Sequence, residues 1–496
     1  MLNLKNIALS LCATMLFSAA SADELSEINS KMPSGAANGV AYSYDDLASV
    51  YGQNMDDYYR PASTQKVITA LAALLYLGPN YQIKTRLLVN NNAISSNGSL
   101  FVNNGVLNGD IELEFRGDPQ LKRTDIKNLL DTLRKAGVRK INGTLYLNYG
   151  YFAGHDYAEG WSWDDLSKCF TAPPASIIID GNCTSIQLHA KTIGGPVTAV
   201  VPANTPITVD TTELEVVTAS EFYGGCSLDM QRDSHNVYRL SGCIPVQKKE
   251  PLGISVAIQD PNEWGQKIVS GLIRDLGITV SGGVKLTRKT KGVQIQYASY
   301  LSQPMHVMLK RCLLKSVNII ADSVAKTIGT VYYNRPANYY MSSIAIRNIL
   351  KKHDIYLGNA TVIDGSGLSP HNLITPRQML NVLEFIKLHN DEIHMIELLP
   401  VAGVSGTLGG RGSLMKAPLL KNVTAKTGTI DGVSNLAGFL KDNKGRTVPF
   451  VYFMNNLSYD EKTRQMIHAK RISKPHYPHE RMILEAIYNE RKFLNP

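Results

Sequence analysis

One run of residues, Pro61-Ala-Ser-Thr-Gln-Lys-Val-Ile-Thr-Ala-Leu-Ala-Ala-Leu-Leu-Tyr-Leu-Gly78, constrains the fold more than any other. Pro61 leads in and Gly78-Pro79 stops it, which predicts a helix. From Val67 to Leu77 its apolar residues fall on every side. A helix with no polar stripe has no face to give to water, so it belongs at the centre of a domain. Two polar residues open it, Ser63 and Lys66, one turn apart and therefore on one face.

Other segments fill in the surroundings. Residues 85–115 alternate as strands with Asn/Gly turns, 121–136 read as an amphipathic helix, and 141–147 as a strand. Residues 185–255 are rich in Thr/Val runs of strand type. A helix is expected at 264–276, with a strand starting at Gly283-Val-Lys-Leu; 302–330 and 340–352 read as helical, with Ser316 following a helix at 305–315. The end reads as sheet, 423–428, 435–441 and 447–454 with a turn at Asp431-Gly432, then a helix at 480–491. A chain of 496 residues exceeds one ordinary core, so two or three packed units are expected.

The first 22 residues read as a secretory leader: Lys5, an apolar run from Ile7 to Phe17, and a small-x-small site at Ala20-Ser21-Ala22. Cleavage near Ala22 puts the protein in the periplasm; an uncleaved anchor is the rival reading. Leu11 before Cys12 argues against a lipoprotein site. Export permits disulfides. Cys169, Cys183, Cys226 and Cys243 allow three pairings. Joining nearest neighbours, Cys169–Cys183 and Cys226–Cys243, closes two short loops worth about 3 kcal/mol each in the chain-entropy account. Cys312, in an apolar helical run, reads as a buried free thiol. No CxxC or HExxH is present, and no metal or cofactor is expected. The net charge of +9 is spread along the chain, which suits an acidic polymer or, weakly, a membrane surface touched by the basic final helix. No basic tract interleaved with aromatics points to nucleic acid.

Three motifs carry the chemistry: Ser63-Thr64-Gln65-Lys66, Ser316-Val317-Asn318 and Lys426-Thr427-Gly428. Singly, the first two are cheap; Ser413 and Lys416 make a second SxxK, and Ser95-Ser96-Asn97 and Ser234-His235-Asn236 match SxN. Context selects among them. Ser63 opens a buried helix, whereas Ser413 sits in a Gly-rich loop. A serine hydroxyl needs a base to take its proton, and a lysine serves only when neutral. Burial and a second cation, Lys426, push Lys66 that way. The helix N-terminus adds a positive field and backbone N–H groups suited to an oxyanion. Lys426, staying charged, and Thr427 would hold a substrate carboxylate. Gly428 would leave room for substrate along the strand. Ser316 would relay a proton to the leaving amine, and Asn318 would orient the amide.

SxxK, SxN and KTG together resemble the penicillin-binding proteins and serine β-lactamases. The long interval between Lys66 and Ser316 is similar to the class C low-molecular-mass penicillin-binding proteins, peptidase family S13. Gly117-Asp118-Pro119, Gly160-Trp161-Ser162-Trp163-Asp164-Asp165, Asp364-Gly365-Ser366-Gly367-Leu368-Ser369 and Asn435-Leu436-Ala437-Gly438 also match. The resemblance implies a multi-domain α/β fold: a discontinuous transpeptidase-like domain (23–84 and 295–496), an inserted domain (85–180 and 251–294), and a nested β-rich domain (181–250). It implies an acyl-enzyme on Ser63 and an oxyanion hole from the N–H groups of Ser63 and Thr429. Asp165 would bind the amino end of diaminopimelate. The implied activity is serine D-Ala-D-Ala carboxypeptidase/endopeptidase on peptidoglycan stem peptides, inhibited by β-lactams. Val317 departs from the Asp or Asn of close relatives and is expected to point away from the scissile bond; Pro370 is a milder departure. The rival readings are a β-lactamase or esterase, for which no deacylating base is placed, and a catalytically weak wall-binding protein.

Overall fold

The computed structural model describes residues 25–44, 49–233, 235–247, 249–292 and 294–492. The expected leader, 1–22, lies outside them. Five antiparallel strands make the central sheet: β1 (Ala37–Ser43), β2 (Val50–Gln53), β3 (Val423–Ile430), β4 (Val433–Lys441) and β5 (Thr447–Asn455), in spatial order β3-β4-β5-β1-β2. β1 pairs with β5, Val40 opposite Tyr452, so the two ends of the chain are stitched into one sheet.

Both faces of this sheet are covered, and the alternation of its strands divides between them. Ala437, Phe439, Val451 and Phe453 face the main helical core. Leu436, Leu440, Phe450, Tyr452 and Met454 pack on the other side with Ile483, Leu484 and Ile487. The helical side holds α1 (Gln65–Tyr76), α2 (Met305–Lys315), α3 (Asn318–Tyr333), α4 (Tyr339–Lys351) and α5 (Pro376–Leu388). The other side is covered by α6 (Tyr477–Tyr488). α1 is buried from Gln65 through Leu74, as a helix without a polar stripe requires. Gly78 ends it in the left-handed region.

The helical stretch 302–330 is two helices, and the first covers the expected 305–315. Ser316 adopts a left-handed conformation, φ 57°, and closes α2; Val317 is extended and α3 starts at Asn318. The expected strand at 141–147 is also two: Lys140–Asn142 pairs with Val106–Asn108, and Leu145–Asn148 pairs with Ile111–Glu114 in another sheet. Hydrophobic alternation cannot see the bend at Gly143 between them.

Residues between α1 and α2 build two further cores. One, around Trp264, lies between helices Arg123–Lys135 and Pro261–Asp275 and the strands beside them. The other, around Tyr238, Ile186 and Val216, is all strand. Three expected boundaries fall within or between paired strands, the first being 84/85, inside Lys84–Asn90. Gln294–Leu301 pairs with Lys84–Asn90, so 294/295 divides a strand of the inserted sheet. Leu252–Ala257 pairs with Cys183–His189, so the nested unit runs past 250. Disulfides join Cys169 to Cys183 and Cys226 to Cys243, while Cys312 is buried and free. No described helix is long and apolar enough to cross a membrane.

Candidate active site

The start of α1 meets β3 and the α2–α3 break. Ala62, just before Ser63, is left-handed at φ 47°, a conformation that costs a non-glycine residue about 1 kcal/mol or more. It is held by neighbours. Asn435 on β4 donates to the carbonyls of Arg60 and Pro61 at 2.8 and 3.0 Å. Gly428 lies so close to this turn that a Cβ there would stand 2.5 Å from the Pro61 carbonyl oxygen. The glycine is therefore needed for packing of strand on turn, a reason that differs from the expected clearance for substrate. Gly367 is pressed still closer, 1.8 Å from the Ala62 carbonyl oxygen by the same test.

Lys66 is fully buried. Its Nζ lies 2.8 Å from Ser63 Oγ, 2.7 Å from Asn318 Oδ1 and 2.6 Å from the Ser366 carbonyl. Burial lowers its ammonium pKa, while Cys312, Asp322 and Asp364 oppose that shift. Lys426 is also fully buried, 2.9 Å from both Ser316 Oγ and the Thr427 carbonyl. Burial, then Lys66, then Arg411 push its pKa well below the usual lysine value, so the expectation that it simply stays charged meets an opposing force. Thr427 donates its hydroxyl to Thr407 at 2.8 Å. Ser63, Ser316, Thr427 and Thr429 line one pocket of about 520 Å³ with Arg411, Lys474 and Tyr477. The structure thus brings together Ser63, Lys66, Ser316, Asn318, Lys426, Thr427, Gly428 and Thr429.

Asp165 is placed apart. It is not in the pocket wall; its carboxylate pairs with Lys168 at 2.6 Å. Its segment still reaches the site, because Asn318 donates to the Phe170 carbonyl at 2.8 Å. Val317 turns away from the pocket and packs against Ala172, Ile178 and Ala257 of the inserted region. The second SxxK has no such geometry: Ser413 is buried against Glu480 and Lys416 is exposed.

Three contributors were not assigned from sequence. Asp322, one turn beyond Asn318, accepts the N–H groups of Gly365 and Ser366 at 2.8 and 3.0 Å and so fixes the carbonyl that Lys66 meets. Its carboxyl is pushed up to about 8 by burial and by Asp364. Asp364 accepts from Gly367 N, Ser369 N and Trp161 Nε1, tying the loop to the inserted region. Arg411 is clamped by Glu480 and Ser434. The signals available were the i, i+4 spacing of Asn318 and Asp322 and, for Asp364, its place in the Asp364–Ser369 segment that carries the family resemblance. No described cluster of three or more His, Cys, Asp or Glu is arranged to hold a metal ion.

The D-Ala-D-Ala carboxypeptidase 3 (S13) family profile matches residues 21–474. The chain belongs to this family. A D-alanyl-D-alanine carboxypeptidase DacB of Haemophilus influenzae is 40% identical over 436 residues, 88% of each chain. A penicillin-sensitive carboxypeptidase A of Dictyostelium discoideum is 24% identical, covering 83% of this chain and 80% of that one. The crystal structure of penicillin binding protein 4 from H. influenzae superposes with a TM-score of 0.84 at 39% identity, over 93% of this chain and 99% of that one. The same S13 protein complexed with a β-lactam gives 0.80 at 36% identity, with the same coverage. The α/β architecture described above is accordingly that of the S13 penicillin-binding proteins.

Proposed function

We propose that this chain is a periplasmic serine D-Ala-D-Ala carboxypeptidase, and an endopeptidase for D-Ala–diaminopimelate cross-links, acting on peptidoglycan stem peptides. The observation that carries the reading is the buried contact of Lys66 Nζ with Ser63 Oγ at 2.8 Å. A neutral Lys66 takes the Ser63 proton as Oγ attacks the D-Ala carbonyl. The oxyanion is held by the N–H groups of Ser63 and Thr429. Lys426 and Thr427 hold the terminal carboxylate, and Asn318 orients the amide. When the C–N bond breaks, the proton reaches the leaving amine through Ser316, which already contacts Lys426. Water then attacks the ester as neutral Lys66 takes one of its protons, and Lys66 passes that proton to Ser63 Oγ as the ester C–O bond breaks, freeing the acid and restoring both groups.

Asp165 serves the ammonium of diaminopimelate, exchanging its Lys168 partner for substrate. The three hydrophobic cores support a division into a catalytic domain, an inserted domain and a nested β domain. A β-lactam acylates Ser63 as a covalent inhibitor. The test is peptide mapping of the benzylpenicillin adduct, with mass spectrometry of muropeptides after digestion. The adduct is expected on Ser63, with D-alanine released from pentapeptides and dimers split. An adduct elsewhere, or D-alanine release unchanged in Ser63→Ala, overturns the assignment; rapid turnover of the adduct makes the protein a β-lactamase.

A further inference from the structure

α3 is buried from Ile319 through Thr330, yet polar residues recur on it at every fourth position, Asn318, Asp322 and Lys326. That spacing sets them in one stripe along the helix. Each grips backbone from another part of the chain. Asn318 donates to the Phe170 carbonyl, and Asp322 accepts from Gly365 and Ser366. Lys326 donates to the carbonyls of His155 and Pro174 at 3.4 and 3.1 Å. Unlike Ser63 or Ser316, Lys326 is not in the pocket wall.

Lys326 is fully buried. Its ammonium lies over the rings of Phe152 and Tyr339, 5.0 and 5.2 Å from their centroids, with the Asp156 carboxylate at 3.9 Å. Burial pushes its pKa down to about 8, against the pull of Asp156 and Asp322. A cation held away from water is costly unless several groups receive it. Those groups come from two places: Phe152, His155 and Asp156 at one end of a segment, and Pro174 at the other.

Between these ends the chain runs as a strap, with two three-residue helical turns, Trp163–Asp165 and Cys169–Thr171. A segment with little ladder of its own takes its position from what holds it. The catalytic side holds it at Glu159, whose carbonyl accepts from Ser369 Oγ at 2.7 Å, at Trp161 and at Phe170. Lys326 holds both of its feet. The strap bears on the chemistry through the Phe170 carbonyl. Asn318 Oδ1 faces Lys66 and one Nδ2 hydrogen goes to Phe170, which leaves the second Nδ2 hydrogen for substrate. A shift of that carbonyl therefore turns the amide. We propose that Lys326 is a positioning residue for acyl transfer: it pins both feet of the strap to α3 and so sets the carbonyl that orients Asn318. This rests on the function proposed above and gives a task in it to a side chain about two helical turns beyond Asn318.

The experiment is a double-mutant cycle on the rate of Ser63 acylation by benzylpenicillin, with wild type, Lys326→Met, Asn318→Ala and the double variant. Lys326→Met is expected to acylate about tenfold slower; a group misplaced by about 1 Å costs on the order of 10²-fold, and the strap keeps its other anchors. In the Asn318→Ala background the same substitution should cost nothing further, since the group it positions is gone. Fluorescence follows the strap itself. With Trp163→Phe, the tryptophans that remain are Trp161, in the strap, and Trp264, buried in the inserted core. Lys326→Met should then raise acrylamide quenching, through Trp161. A wild-type acylation rate in Lys326→Met, the same loss repeated in full in the Asn318→Ala background, or unchanged quenching overturns the proposal. If Lys326→Met fails to fold, Lys326→Gln goes through the same cycle and the same quenching, and the same outcomes count. Wild type that forms no penicilloyl adduct on Ser63 sinks the functional reading itself. An additive cycle with normal wild-type acylation sinks this inference alone.

Discussion

The two buried lysines of the site live in opposite surroundings. Behind Lys66 stand two carboxyl groups, Asp322 and Asp364, which favour its charged form against the pull of burial. Near Lys426 stand Lys66 and Arg411, which work with burial to strip its proton. Of the two, Lys66 has the neighbours that favour a proton and Lys426 has those that oppose one. A substrate carboxylate beside Lys426 changes the balance: it favours charge on Lys426, and a charged Lys426 disfavours charge on Lys66. Under the function proposed above, the ligand that needs cutting thereby helps make the base neutral. Two lysines of one residue type thus acquire different tasks from their second neighbours.

The largest expected effect comes from removing the base. Lys66→Met should slow acylation by benzylpenicillin by about 10²- to 10⁴-fold, measured by stopped-flow quench of tryptophan fluorescence. In wild type the same rate should rise with pH through an apparent pKa below the usual lysine value of 10.5, because the neutral amine is the active form and burial favours it. A profile that rises only above pH 10 would break the comparison.

Next is the scaffold of the Lys426 side. Arg411 and Glu480 form a fully buried pair, with Ser413 on the same carboxylate. Glu480→Gln leaves an uncompensated buried guanidinium, so urea unfolding should report a loss of about 3–5 kcal/mol. A loss under 1 kcal/mol would mean that Arg411 reaches solvent.

Lys426→Met should lower kcat/KM for a carboxylate-bearing peptide by about 10- to 100-fold. It should matter much less for a peptide whose terminal carboxylate is replaced by a methyl ester. An equal fall on both would deny Lys426 its task in recognition.

The smallest effect sharpens the contrast most. With Asp322 pushed up to about 8, its carboxyl is protonated at lower pH, and Asp322→Asn should there match wild type. Above pH 8 the wild-type carboxylate ionises and holds the proton on Lys66. The variant should then acylate severalfold faster than wild type. A variant slower at every pH assigns Asp322 to holding the Gly365–Ser366 backbone and nothing more.

The helical spacing at the start of α1 was legible in the residues themselves. Ser63 and Lys66 are joined by helical spacing, and the buried run after them predicted its own surroundings. Helix α5 carried a legible start, Thr375 with Pro376 and Gln378, yet it was not identified. The end of α2 before Ser316 was legible, but the left-handed backbone of Ser316 was not, because no glycine or proline marks that turn.

The sequence alone determined the chemistry available: a nucleophile one turn from an amine, a second lysine on a strand, and a helix that must be buried. Only the tertiary structure decided which groups share an atom's reach. It put the Ser366 carbonyl on Lys66, the Pro61 carbonyl against Gly428 and Arg411 beside Lys426. Periodicity reports contacts within a turn or across a hairpin, whereas distances between positions 66, 318, 366 and 426 are set by how helices and sheet pack.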